Sequence, residues 1–131
     1  MSWPLPPAVV LDHTALLALG AGSRLVSWVV TKAHQEPGRY VYAPAMCLAA
    51  AVADRPALAD HVGMLPAVEV IDLGYAAAAE VGRLIGGGLD WRAAHAVDAS
   101  RPSLEWPAGR PVLTGVPSAY AGLGVRTISL S

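Results

Sequence analysis

The most informative segment of the sequence is Val9-Val-Leu-Asp-His-Thr-Ala-Leu-Leu-Ala-Leu19. Its first three residues are apolar and largely β-branched, which is typical of a buried strand. Asp12 follows directly, and either Asp12 or Thr14 is a good N-cap for a helix that begins at Ala15. Gly20 then ends that helix. The segment therefore predicts a buried strand that turns sharply into a short helix, with an acidic side chain at the turn.

Strand-like and helix-like segments alternate along the rest of the chain. We predict further helices at 24–34, 44–53, 56–62, 75–85 and 90–100, and further strands at 40–43, 68–71, 111–114 and 125–130. Asp54 is expected to cap the 56–62 helix, and Gly86-Gly-Gly88 to end the 75–85 helix. Strands separated regularly by helices form a parallel sheet covered on both faces. The expected fold is therefore α/β, with about five parallel strands flanked by helices in three layers.

The composition excludes several classes of protein. The 131 residues are 54% hydrophobic and 15% charged, which favours one compact domain over 1–131 and argues against a disordered chain. A net charge of -1 provides no overall basic field for nucleic acid or acidic membranes. Cys47 is the only cysteine, so an intramolecular disulfide is excluded and a zinc cluster disfavoured. We expect Cys47 to be a small core residue.

Targeting and membrane signals are not found in the sequence. The stretch from Met1 to Pro7 has no basic residue, which argues against a signal peptide. The longest apolar run, from Val41 to Ala53, contains Pro44 and is shorter than the roughly 20 residues of a membrane span. The abundance of alanine and arginine is typical of a GC-rich bacterial genome. We therefore expect a bacterial, cytoplasmic protein that does not insert into membranes.

The opening segment resembles the PIN domain family, whose pattern is an apolar strand, an Asp, one residue, a Ser or Thr, a small residue and leucines. Further segments resemble the family's later elements in the same order: Tyr42–Ala51, Ala93–Ala99, Pro111–Pro117 and Val125–Leu130. The resemblance implies a PIN-like three-layer fold. Many proteins of this length and family are VapC-like toxins, Mg²⁺-dependent endoribonucleases that a small antitoxin neutralises. The resemblance thus implies Mg²⁺ or Mn²⁺ as a cofactor, RNA as a substrate, an antitoxin as a partner and a homodimer.

Only part of the acidic metal site that the resemblance implies is present in this sequence. Asp12 matches the first acidic position, and Thr14 matches the hydroxyl that supports it. The second acidic position falls at Ala50 or Ala51, and the fourth falls at Val116. Phosphodiester hydrolysis requires divalent cations, which are held by several oxygen ligands at once. These substitutions therefore argue against an efficient nuclease.

The third acidic position depends on how the 101–109 loop is treated. If that loop is an insertion, the position falls near Ala94; otherwise Asp98 occupies it. Asp90 and Asp98 each lie about one helical turn from Ala94, on the same face but displaced by about 5.4 Å along the axis. The candidate metal ligands are thus Asp12, Asp98 and Asp90, and the candidate catalytic residues are Asp12, Thr14 and Asp98.

Other residues are candidates for binding. Arg101, Trp106 and Arg110 form a basic and aromatic set that suits RNA or a protein partner; the alternative is a solvated loop whose Trp packs back onto the domain. His95 lies beside the third acidic position, where it would contact phosphate or act as a base, although a surface or half-buried histidine is the more common outcome. Trp28 and the valines of the 24–34 helix exceed what one core is expected to cover, which favours a homodimer.

Two functions remain open from the sequence. The first is a VapC-like, Mg²⁺-dependent endoribonuclease that depends on Asp12. The second is a degenerate PIN-like domain that needs no metal and acts by binding a protein or RNA partner. In this second hypothesis an apolar cleft lined by Ala50, Ala94 and Val116 replaces the acidic pocket. The missing acids favour the second hypothesis.

Overall fold

A computed structural model describes residues 6–130, so part of the segment used to argue against a signal peptide, residues 1–5, lies outside the described residues. Five strands form one sheet in the order β3-β2-β1-β4-β5, and every neighbouring pair is parallel. Helices cover both faces of the sheet, which confirms the expected three-layer α/β fold. The strands are β1 Ala8–Leu11, β2 Tyr40–Pro44, β3 Val68–Ile71, β4 Val112–Thr114 and β5 Thr127–Ser129.

The central strand β1 determines where a site can lie. All four of its residues are buried, because a central parallel strand is covered by helices on both faces. Val10 is paired with Tyr42 of β2 on one side and with Val112 of β4 on the other. The chain leaves β1 toward β2 and later returns to β4, so the strand order reverses at β1. Such a switch point leaves a crevice at the carboxyl ends of the strands, and Asp12 follows β1 there.

The helices agree with the predicted segments to within about two residues at each end. Side chains cap three of them: Asp12 caps α1, Ser23 caps α2 and Asp90 caps α6. The glycine run ends the fifth helix as predicted, with Gly88 at a φ of 106°. The helices are α1 His13–Gly20, α2 Arg24–Gln35, α3 Ala45–Asp54, α4 Leu58–Gly63, α5 Tyr75–Gly86 and α6 Trp91–Ser100.

Two details of the local structure differ from the prediction. Asp54 does not cap the fourth helix, because it is the last residue of α3 and the N-cap position of α4 falls at Ala57, whose side chain makes no hydrogen bond. A short 3₁₀ helix, Pro117–Tyr120, lies between β4 and β5, where the sequence predicted only a connection.

The apolar face of α2 is largely covered by the chain's own core. Val26, Val29 and Val30 are all buried, so the prediction that these valines exceed the core is wrong. Trp28 is half-buried, and the Lys32 ammonium lies 5.9 Å from the centre of its ring. The homodimer therefore stays a prediction, and the apolar residues of α2 give no support for it.

The described helices are shorter than a membrane span, since the longest, α2 and α5, have 12 residues each. Within residues 6–130, no single helix is long and apolar enough to cross a membrane. Helices α1 and α2 reach the required length and composition only together, and they are bent by 93° relative to each other. One such pair is weak evidence, because core helices of this kind pass the same test.

Candidate functional site

Asp12 lies at the carboxyl edge of the sheet and is completely buried. Its Oδ1 atom accepts hydrogen bonds from the hydroxyl of Thr14 at 2.6 Å and from the backbone N–H of Ala15 at 3.0 Å. Its Oδ2 atom accepts a hydrogen bond from the hydroxyl of Tyr120 at 2.7 Å. Three donors from the chain itself therefore satisfy both oxygens of the carboxylate, as a buried charge requires.

Thr14 joins this carboxylate to the end of β4. Its Oγ1 atom accepts a hydrogen bond from the backbone N–H of Gly115 at 2.8 Å and lies 3.3 Å from the hydroxyl of Thr114. The Thr114 hydroxyl in turn accepts a hydrogen bond from the N–H of Val116 at 3.0 Å. The strand-to-helix turn after β1 is thus connected through side chains to the residues that follow β4.

Thr114 in β4 and Tyr120 are the members of this network that the sequence did not reveal, and Tyr120 is the farther of the two from Asp12 along the chain. It is buried at the end of the 3₁₀ helix. Burial, reinforced by the Asp12 carboxylate, raises the pKa of the Tyr120 hydroxyl, so this hydroxyl stays protonated and acts as the donor. The only sequence signal was a lone aromatic residue soon after Pro117, and nothing in its spacing connects it with Asp12, which lies more than a hundred residues earlier.

Asp90 lies near Thr14 but is engaged by its own helix. Its carboxylate accepts hydrogen bonds from the N–H of Arg92 at 2.9 Å and from the Arg92 guanidinium at 2.8 and 3.1 Å. These hydrogen bonds, together with the charge of Arg92, lower the pKa of Asp90 to about 2. Asp90 is therefore ionised, and its charge is already paired with a cation.

Asp98 lies in a different environment. Burial raises its pKa, and the titratable groups around it are His95, Arg101, Glu80 and Arg110. Asp98 lies eight residues beyond Asp90 on the same helix, which corresponds to about 12 Å along the axis. The structure thus places Thr14 and Asp90 along one cleft, with Asp12 buried beneath it, whereas Asp98 lies toward the other end of α6.

The cleft at this edge of the sheet is polar as well as apolar. It has a volume of about 370 Å³, and Val116 lines it as predicted. Ala50 and Ala94, by contrast, are buried and do not line it, so the prediction holds for Val116 and is wrong for the two alanines. The alanines pack in the interior where α3 lies against α6, and polar groups take their place along the cleft: His13, Thr14, Asp90, Arg92 and Ser118.

His95 is more deeply buried than expected. It is fully inaccessible, not a surface or half-buried residue, because α6 packs between the sheet and neighbouring helices. Its Nδ1 atom accepts a hydrogen bond from the N–H of Met46 at 3.3 Å. Burial lowers the pKa of His95, while the charge of Asp98 opposes that effect. His95 is thus a neutral core residue with no access to phosphate.

Cys47 lies in the core beside the same network, as predicted. Its thiol donates a hydrogen bond to the carbonyl of Arg92 at 3.4 Å. Burial, followed by the charge of Asp12, raises the pKa of Cys47 to about 12. The side chain is therefore a thiol under ordinary conditions and is neither a nucleophile nor a thiolate ligand.

The candidate binding residues between Ser100 and Pro111 contact the domain itself. Arg101 forms an ion pair with Glu80, and Trp106 meets the ring of Tyr40 edge-on at 5.5 Å between centroids. Arg110 stacks over the ring of Tyr42 at 4.4 Å and donates a hydrogen bond to the carbonyl of Ala99 at 2.9 Å. These contacts agree with the alternative in which the tryptophan packs back onto the domain.

The residues at Asp12 do not fit a divalent cation in this arrangement. Mg²⁺ requires several oxygen ligands at once, but Asp12 is fully inaccessible and its two oxygens already accept hydrogen bonds from packed neighbours, which leaves no space beside them for a hydrated cation. Among residues 6–130, no three histidine, cysteine or acidic side chains come together as a metal site. The Asp12 oxygens are therefore arranged to accept hydrogen bonds from hydroxyl and amide groups.

Comparison with known proteins supports the fold. The structure is similar to a chain from the crystal structure of VapBC2 from Rickettsia felis bound to a DNA fragment from their promoter, with a TM-score of 0.59. The match covers 93% of this chain and 98% of that chain at 12% sequence identity. No family model matches the sequence, and no curated protein matches it either. The similarity therefore supports a PIN-like fold, as the opening segment implied, and concerns the fold alone.

Proposed function

We propose that this chain is a non-catalytic PIN-like domain that acts by binding a macromolecular partner. The observation that carries the proposal is the state of Asp12, whose two oxygens are bound by Thr14, Ala15 and Tyr120. The other acids supply no replacement, because Asp90 is paired with Arg92 and Asp98 has a separate set of neighbours. Among residues 6–130 no oxygen ligands converge that would position a cation and activate water on a phosphodiester, and this supports the proposal.

A protein is the partner class that the observations favour over RNA. The basic and aromatic side chains proposed for RNA, Arg101, Trp106 and Arg110, are engaged by Glu80 and by tyrosines within the domain, so RNA would have to compete with these contacts. The similarity to a chain from a VapBC2 complex also supports a protein partner of the antitoxin kind. We further propose that the protein works in the bacterial cytoplasm.

The competing function is a Mg²⁺- or Mn²⁺-dependent endoribonuclease, and one experiment distinguishes the two. Mn²⁺ and Mg²⁺ are titrated calorimetrically into the wild-type protein, Asp12→Asn and the control Asp60→Asn, whose exposed carboxylate lies on α4. RNA cleavage is then measured with the same metals. We expect no cation binding and no cleavage that depends on Asp12. If cation binding and cleavage are lost together in a folded Asp12→Asn protein but kept in Asp60→Asn, the proposal is wrong.

The binding role is tested separately by co-expression with the polypeptide encoded immediately upstream. We expect the two chains to purify as a complex of fixed stoichiometry, measured by light scattering after size-exclusion chromatography. The control is co-expression with an unrelated antitoxin-sized polypeptide. If the chain stays free of the upstream product, the antitoxin-like partner is excluded, and binding to single-stranded RNA without cleavage becomes the next measurement.

A further inference from the structure

We infer that Asp12 and Tyr120 form a structural clamp that fastens the β4–β5 connection to the end of β1. The inference goes beyond the proposed function, because it assigns a folding role to Asp12 whichever partner the domain binds.

The clamp is a hydrogen bond between two buried groups that are far apart in sequence. The Tyr120 hydroxyl and Asp12 Oδ2 are 2.7 Å apart, and both residues are almost entirely inaccessible to solvent. A hydrogen bond to an ionised acceptor is stronger than a neutral one, and burial reduces competition from water. Loss of the donor would leave a buried carboxylate oxygen without a partner, which is costly.

The other carboxylate oxygen is tied into the same connection through Thr14. Thr14 donates its hydroxyl to Asp12 Oδ1 and accepts the N–H of Gly115. A Cβ atom placed on Gly115 would lie 3.5 Å from Thr14 Oγ1, so the two segments are in van der Waals contact. Asp12 thus holds the connection at its beginning through Thr14 and Gly115, and further along through Tyr120.

The connection has few other anchors. Within the 3₁₀ helix only Tyr120 is buried, while the three residues before it are exposed. Gly122 and Gly124 follow with φ values of 76° and 69°, which favour glycine and let the chain turn without strain. Leu123 and Val125 also pack against the core but are only partly buried, so Tyr120 is the one fully buried side chain between Gly115 and Arg126.

The clamp satisfies Asp12 Oδ2 from within the chain. A carboxylate oxygen accepts more than one bond, so it is the complete burial of Asp12 that opposes a cation, which would need space among packed side chains. Tyr120 thus gives the negative oxygen a partner and holds two segments together.

A double-mutant cycle combined with hydrogen exchange tests the clamp. The variants are Tyr120→Phe, Asp12→Asn and the double variant, and the control Tyr75→Phe removes a hydroxyl that is 92% exposed. We expect Tyr120→Phe to lower the Tm by about 5–10 °C and Tyr75→Phe to leave it within a degree. In the Asp12→Asn background, the drop caused by Tyr120→Phe should shrink at least twofold because the charged acceptor is gone.

Hydrogen exchange measured on Tyr120→Phe alone tests the inference even if Asp12→Asn fails to fold. In folded Tyr120→Phe, the amides of Ala119 and Ala121, which bond to carbonyls within the connection, should exchange at least tenfold faster, while the β1 amide of Val10 changes less. Unchanged exchange at Ala119 and Ala121 would overturn the inference. An equal drop in Tm for Tyr120→Phe with and without Asp12→Asn would overturn it as well.

Discussion

At the scale of single residues, Asp12 combines two roles that the sequence could not separate. As an N-cap it accepts the N–H of Ala15, which is the role that the turn predicted. As a buried acceptor it also binds Thr14 and Tyr120. The first role follows from local spacing. The second requires the position of residue 120, which only the folded sheet brings to the end of β1.

Thr14→Val is expected to destabilise the protein through this network. The substitution keeps the shape of the side chain but removes the hydroxyl that bonds Asp12 and Gly115. Because a buried charged acceptor and a backbone donor each lose a partner, we expect a loss of about 1–3 kcal/mol in the free energy of unfolding. Urea denaturation measures it, with Thr31→Val on the exposed face of α2 as the control. A stability equal to wild type in Thr14→Val would contradict the role assigned to this hydroxyl.

The lowered pKa of buried His95 predicts that the stability of the protein depends on pH. Its pKa is lowered in the fold by burial, so the unfolded chain binds the proton more readily. The contribution of neutral His95 is therefore complete above the ordinary histidine pKa of about 6.5 and is lost as the pH falls below it. Asp98, whose pKa is raised, acts in the opposite direction and at lower pH, closer to the ordinary pKa of a carboxylic acid.

The measurement is urea denaturation of wild type and His95→Gln at pH 7.0 and pH 5.5. Wild type is expected to lose stability over this interval, and His95→Gln to lose clearly less of it. His34→Gln on the exposed surface of α2 is the control and should behave as wild type. An identical pH dependence in wild type and His95→Gln would assign the effect to another group.

At the scale of elements, the sequence predicted nearly all of the secondary structure because hydrophobic periodicity and caps are local signals. Each correct prediction rested on residues close together in sequence. Examples are the turn at Asp12, the glycines after α5 and the apolar residues of β1. The 3₁₀ helix and the depth of His95 were missed for the opposite reason. The first is fixed by a contact between residues 12 and 120, and the second by the way α6 packs against the rest of the fold.

The 101–109 loop supplies a prediction at this scale. Trp106 attaches the loop to the tyrosines of β2, so Trp106→Ala should free it and cost about 2 kcal/mol, below the range for a fully buried tryptophan because this one is half-buried. Cleavage after Glu105 by a glutamate-specific endoproteinase should then become faster by about tenfold. Leu104→Ala, at a fully exposed position of the same loop, is the control. Equal cleavage rates in the two variants would mean that Trp106 does not hold the loop.

At the scale of the whole molecule, the described surface leaves apolar groups at the β3 edge of the sheet. The strand order places β3 at the end, with β2 as its only neighbour in the sheet. Val70, Leu73 and Tyr75 are exposed on or just after this strand. Edge strands with apolar side chains tend to pair with another chain. This edge is thus a better place for the expected homodimer than α2, whose valines are covered.

The dimer is therefore expected to depend on β3 and not on α2. Light scattering after size-exclusion chromatography should give a mass near twice 13.5 kDa for wild type, and Val70→Lys should shift it toward the monomer, because a lysine on an edge strand opposes pairing. Leu104→Lys adds the same charge at an exposed site away from this edge and should remain dimeric. A monomeric wild type would refute the dimer itself. A dimer that resists Val70→Lys but dissociates in Trp28→Ala would place the contact on α2, and the apolar groups of β3 would then be free for the partner protein.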